Sequence, residues 1–165
     1  MKKKKSVPYN WKIASAIDFI LKKHQFNYQF DQQTGNFQLN MGLECQLQSV
    51  HCYVLVRDAD FSVYAYSPVS VPKDDPIAMS AMLDFISRAN YGLANGNFEV
   101  DVRDGEIRYK TFLDCSEGIP PFGAIERNLM IPILMFERYG QGILHVCMGL
   151  STPQQAIHMC EPEQE

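Results

Sequence analysis

Asn90–Cys115 reads NYGLANGNFEVDVRDGEIRYKTFLDC, and this run decides the fold. It holds a helix end, a turn and a β-hairpin. Asp104-Gly105 is a strong hairpin signal, because a two-residue type I′ loop needs positive φ at both central positions. With those two residues as the loop, Arg103 faces Glu106, Val102 faces Ile107 and Asp101 faces Arg108. Val100 then faces Tyr109, Glu99 faces Lys110 and Phe98 faces Thr111. Strand side chains alternate between faces. One face therefore carries Phe98, Val100, Val102, Ile107, Tyr109 and Thr111. The other carries three opposed ion pairs, Glu99–Lys110, Asp101–Arg108 and Arg103–Glu106. A slip of one residue would bury the charges and expose the apolar set. Each exposed pair contributes about 0.2–1 kcal/mol. On this reading the charges select the register, apolar burial drives folding, and the architecture rests on that alignment. The charged face is either solvated or a recognition surface.

Outward from the hairpin, helix and strand patterns follow in turn. Residues 9–24 place Ile13, Ala16, Ile17, Ile20 and Leu21 at helical spacing, with Asn10 as the cap. Phe26, Tyr28 and Phe30 alternate with polar residues, and Phe37, Leu39 and Met41 do the same beyond a turn around Gly35. The run from Ser49 to Arg57 is apolar on both faces, which suggests a strand in mid-sheet or covered on both sides. In the next strand Phe61, Val63 and Ala65 face one way, Tyr64 and Tyr66 the other. Asp75-Pro76 starts a helix whose buried stripe is Ala78, Met82, Phe85, Ile86 and Ala89, and Gly92 stops it. After Ile119-Pro120-Pro121, Ile125, Leu129, Ile133 and Phe136 mark another helix. Pro132 cannot donate to the Asn128 carbonyl, so a kink or break is expected there. Gly140 and Gly142 are expected to interrupt it again. Thr152-Pro153 opens a short last helix with Ala156 and Ile157 inside. The order is α-β-β-β-β-α-β-β-α-α, an α+β fold with an antiparallel sheet and helices packed on one face.

Composition bounds function. The 165 residues are 46% hydrophobic and 21% charged, ordinary for one soluble domain. The expected organisation is a disordered basic tail at 1–8, one domain at 9–160 and an acidic tail at 161–165. Without Lys2–Lys5 the remaining chain has 11 basic and 19 acidic residues, a charge of −8. An acidic body argues against nucleic-acid binding, which needs a basic footprint. The basic start leads into Ser6-Val7-Pro8 rather than an apolar stretch, and no run approaches the ~18 apolar residues of a membrane span. A cytoplasmic protein is expected. Five cysteines, an odd number with no CxxC spacing, fit reduced thiols.

From Asn90 to Lys110 the chain resembles the YbjN-like family of small bacterial proteins. The matching residues are Asn90-Tyr91-Gly92, Gly96-Asn97-Phe98-Glu99, Asp101, and Asp104-Gly105-Glu106-Ile107-Arg108-Tyr109-Lys110. Weaker matches are Phe61–Tyr66 with Val71-Pro72, Glu137-Arg138-Tyr139 with Gly142, and Pro153 with Ala156-Ile157. The resemblance implies a fold like that of type III secretion chaperones, with a curved antiparallel sheet. It also implies a regulator of sensory transduction, dimerisation and partner binding. It brings no catalytic residue set.

Catalytic chemistry is poorly supplied. The sequence lacks a phosphate-binding P-loop, a dinucleotide-binding glycine fingerprint and a nucleophile elbow. His51-Cys52, His145 with Cys147, and His158 with Cys160 hint at a metal. Residues two apart on a helix diverge, however, and strand neighbours face opposite ways. Cys115 is the candidate nucleophile, expected in an exposed loop beside Asp114 and Glu117, whose charges raise a thiol pKa. These residues define the alternative reading, a small cysteine- or metal-dependent enzyme. The favoured expectation is a non-enzymatic protein-interaction module without cofactor, acting as a chaperone-like or regulatory adaptor whose contact surface is either a homodimer seam or a groove for a peptide. Its candidate contact residues are Tyr53, Leu55, Tyr64 and Tyr66. They are either core under a second layer or a partner surface.

Overall fold

The computed structural model describes residues 8–161. The basic run Lys2–Lys5 and the acidic residues after Glu161 lie outside them. The elements are α1 (Trp11–Lys23), β1 (Tyr28–Asp31), β2 (Asn36–Gly42), β3 (Ser49–Val56), β4 (Asp60–Tyr66), α2 (Pro76–Asn90), β5 (Asn97–Val100), β6 (Ile107–Asp114), α3 (Phe122–Cys147) and α4 (Pro153–Cys160). This is the expected order. All six strands are antiparallel in one open sheet, β1-β2-β3-β4-β6-β5.

Local signals start the helices. Asn10 Oδ1 accepts from the Lys12 N–H, Asp75 from Ile77 and Ala78, and Thr152 forms a reciprocal capping box with Gln155. The inner face of the sheet carries Phe37, Val54, Phe61, Val63, Phe98 and Tyr109. The apolar stripes of the helices close over it as one core. Phe98 packs edge-on to Tyr109, Phe136 and Tyr139, joining β5, β6 and α3.

The hairpin register differs from the expected one by two residues. Phe98 faces Tyr109, Glu99 faces Arg108 and Val100 faces Ile107. The loop is Val102–Gly105, closed by the Asp101 N–H donating to the Glu106 carbonyl (2.9 Å) and the Gly105 N–H donating to the Asp101 carbonyl (2.7 Å). Gly105 has φ +78°, whereas Asp104 keeps a negative φ, so no type I′ turn forms. Two forces favour the larger loop. The Asp101 carboxylate bonds the Arg103 N–H and guanidinium. The buried Val71, on the strap between β4 and α2, donates its N–H to the Gly105 carbonyl at 3.0 Å. A Cβ on Gly105 would fall 1.9 Å from the Val71 carbonyl oxygen. A two-residue shift preserves which side chains point inward, so the architecture survives it. The exceptions lie in the turn: Val102, expected in the core, is 59% exposed. The ion pairs change partners. Glu99 meets Arg108 at 2.7 Å and Lys110 at 3.8 Å, and Arg103 turns back to Asp101.

α3 neither breaks nor pauses over its 26 residues. The Asn128 carbonyl that Pro132 cannot serve accepts a hydrogen bond from the Thr111 hydroxyl of β6 at 3.0 Å. The two glycines serve close approach rather than interruption. A Cβ on Gly140 would meet Cys45 Sγ and Leu47 at 2.9 Å, and one on Gly142 would meet Phe85 at 2.6 Å and Cys160 Sγ at 2.8 Å. They let the β2–β3 loop, α2 and α4 close on the helix. The Glu137 carboxylate fastens that loop further by accepting from the Glu44 and Cys45 N–H groups.

Candidate functional site

The four helices pack on the inner face, and among the described residues none covers the outer face of the sheet. β3 presents Tyr53 and Leu55 there, β4 presents Tyr64 and Tyr66, and β6 presents Arg108, Lys110 and Phe112. Cross-strand pairing sets them in rows. One row runs Gln38–Tyr53–Tyr64–Lys110–Asn97, the next Asn40–His51–Tyr66–Arg108–Glu99, and a third Leu55–Ser62–Phe112. The structure thus brings together all four predicted contact residues.

All four are half-buried by lateral packing rather than by a covering layer. Of the two alternatives for Ser49–Arg57, the structure shows a strand in mid-sheet and not one covered on both sides: Val50, Cys52, Val54 and Val56 are buried, while the alternate residues are not. The Tyr64 and Tyr66 rings lie 6.5 Å apart at 30°. The Arg108 guanidinium sits 4.7 Å and Lys110 Nζ 5.9 Å from the Tyr64 ring centroid. Burial works to lower the Arg108 pKa, but the Glu99 carboxylate outweighs it and holds the guanidinium above its usual value. Tyr53 accepts a hydrogen bond from Asn36 Nδ2 at 3.2 Å, and His51 Nδ1 meets Asn40 Oδ1 at 2.9 Å. The centre of the face is a tyrosine cluster capped by cations, and its β1–β2 side carries neutral amides.

Phe112, 53% exposed, belongs to this surface and was missed by the sequence reading. The signal was present, since Phe112 shares parity with Lys110 and Arg108. Its place beside Ser62 and Leu55 came only with the β4–β6 pairing.

The alternative chemistry finds little geometry. Cys115, expected in an exposed loop, is only 5% exposed, because its N–H bonds the Ala59 carbonyl at 2.8 Å and draws it under that turn. Burial first, then Asp114 and Asp60, push its thiol pKa up, away from the nucleophilic form. His51 lies on the outer face and Cys52 in the core. His145 with Cys147 and His158 with Cys160 lie two apart on α3 and α4. Among the described residues no three His, Cys, Asp or Glu side chains are grouped to hold a metal ion. None of their helices is long and apolar enough to cross a membrane.

The arrangement defines a class of α+β proteins in which an open antiparallel sheet is covered on one face by helices. Within that class the chain has a YbjN-like fold. It superposes on the crystal structure of YbjN from E. coli, described as a candidate transcription regulator, with a TM-score of 0.51 and 12% identity. The match covers 77% of this chain and 92% of that one. At that identity the likeness is one of fold. No protein-family model matches the chain. No curated protein matches it either.

Proposed function

We propose that this protein is a non-enzymatic, protein-binding module, a regulatory or chaperone-like adaptor that holds its partner on the outer face of the sheet. The observation that carries the reading is the tyrosine cluster at the centre of an uncovered face, with Tyr53, Tyr64 and Tyr66 in adjacent rows and Phe112 exposed beside them. Aromatic groups with arginine at the centre and polar groups around them are the composition of protein interfaces. A homodimer through this face fits the same surface.

The test is charge insertion. Tyr64→Glu and Tyr66→Glu each place a carboxylate within a cluster that a partner must desolvate. Affinity capture on the wild-type chain and sedimentation of the free protein give the reference. The reading expects a captured protein or a dimer that both variants lose while keeping native circular dichroism. A chain that is strictly monomeric and captures nothing, or whose partner is indifferent to both substitutions, overturns it.

A further inference from the structure

The two edges of the sheet differ. An edge strand turns half of its main-chain donors and acceptors outward, where they template another strand unless something blocks them. At β5 the block is explicit. The Asn90 side chain accepts from the Phe98 N–H at 2.7 Å and donates to the Phe98 carbonyl at 2.9 Å, occupying both groups with its amide. β1 lies at the other edge and pairs with β2 alone. Among the described residues no side chain bonds the main-chain groups of Tyr28, Gln29 or Phe30, and Gln29, Phe30 and Asp31 are exposed.

The space beside β1 is shaped. On the helix side a cleft of about 270 Å³ runs between α1 and the strand, lined by Tyr9, Trp11, Ala14, Ser15, Asp18 and Phe30. Trp11, 62% exposed, and Phe30, 36% exposed, form its apolar walls. Trp11, Ser15 and Asp18 lie along one side of α1, spanning about 10 Å at 1.5 Å per residue. That matches the ~10 Å from Tyr28 to Asp31 at 3.3 Å per step. On the open side a second cleft, also about 270 Å³, is lined by amides, Asn27, Gln29, Gln38 and Asn40 among them. Among the described residues Asp18 is the one carboxylate lining either cleft, and it is already paired with Lys22 Nζ at 2.7 Å and bonded by the Tyr28 hydroxyl, so the helix-side cleft selects by its apolar walls.

From this we infer that β1 is a docking edge for an extended peptide segment of another protein, added as a seventh strand. An open row of main-chain groups fits an extended chain and little else. The added strand points alternate side chains into the two clefts, so it carries apolar residues toward Trp11 and Phe30 and polar ones toward the amides. The edge is distinct from the tyrosine face, and the two readings stand or fall separately.

The experiment is selection of random displayed peptides against the full-length protein, followed by titration of synthetic binders. Trp11 is the sole tryptophan, so its emission reports the cleft directly. The expected binders alternate apolar and polar residues and shift Trp11 emission. N-methylation of alternate peptide residues separates strand addition from plain groove filling. One set weakens binding about tenfold or more, a loss near 1.4 kcal/mol, and the other set leaves it within about twofold. Phe30→Lys weakens binding by a similar factor, and Tyr64→Glu leaves it unchanged. Failure to enrich any peptide overturns the inference, as do binders indifferent to both N-methyl sets and to Phe30→Lys. A dimer that dissociates in Phe30→Lys and excludes peptide overturns it in favour of a second copy of the chain.

Discussion

Thr111 and Asn128 belong to different elements, yet one hydrogen bond between them decides how α3 tolerates Pro132. The Asn128 carbonyl would be a buried acceptor without its usual helical donor. The Thr111 hydroxyl, 1% exposed, replaces that donor and pins the helix to the sheet. Thr111→Val keeps the shape and removes the hydroxyl. It should destabilise the fold by about 1–3 kcal/mol, the cost of stranding a buried polar group. Thr111→Ser should recover most of that loss. Urea unfolding of the three proteins measures both numbers. Asp101 offers a second check. Its bonds from Arg103 depress its pKa from 3.8 to about 2. A depressed carboxylate supports the native turn above the unfolded value of 3.8 and loses that support as pH falls through about 2. NMR titration of the Asp101 carboxyl should show that midpoint, and Arg103→Ala should move it back toward 3.8.

At the scale of elements, the two outer hairpins use one turn. In Asp31-Gln32-Gln33-Thr34-Gly35 and in Asp101-Val102-Arg103-Asp104-Gly105, the glycine N–H donates to the aspartate carbonyl at 2.7 Å and the glycine φ is +78°. In each, the aspartate side chain also accepts from the N–H two residues on. The four-residue spacing from Asp to Gly is therefore visible twice in the sequence. Asp104-Gly105 points instead to a two-residue loop, the commoner hairpin solution. Parity cannot separate registers two residues apart, since both bury the same side chains. Asp101 capping and the Val71 strap separate them. Asn90 acts at this scale too, as the cover of the β5 edge. Asn90→Ala should cost about 1–3 kcal/mol by leaving the Phe98 N–H unpaired, the carbonyl keeping its bond from Asn97 Nδ2, and should expose the edge to other chains. Thermal unfolding reads the first effect and concentration-dependent light scattering the second.

For the whole molecule, the thiols report how cooperative the core is. Burial pushes the Cys52 thiol up to about 12 and the Cys147 thiol up to about 11. Cys52 sits at 0% exposure on the inner face of β3. Its labelling by a thiol reagent at pH 8 should need global unfolding, and its rate should follow the urea dependence of the unfolding equilibrium. Cys45, half-buried in the β2–β3 loop, should react first, through local opening of that loop from α3. A Cys52 that reacts as fast as Cys45 would contradict the packing of the sheet against the helices.

The sequence by itself determined the order of the elements, the inner face of the alternating strands and the caps of α1, α2 and α4. Those follow from side-chain periodicity and from hydrogen bonds spanning two or three residues, which any reader of the chain can count. Alternation grouped Tyr53 with Leu55 and Tyr64 with Tyr66, and the β3–β4 pairing set the two groups on one face. Only the tertiary structure decided the hairpin register, the continuity of α3, the burial of Cys115 and the membership of Phe112 in the outer surface. Each depends on a contact from a distant segment: Val71 on Gly105, Thr111 on Asn128, Ala59 on Cys115, and β4 beside β6. Local propensity cannot encode such contacts, since their free energy exists only after the chain has closed on itself.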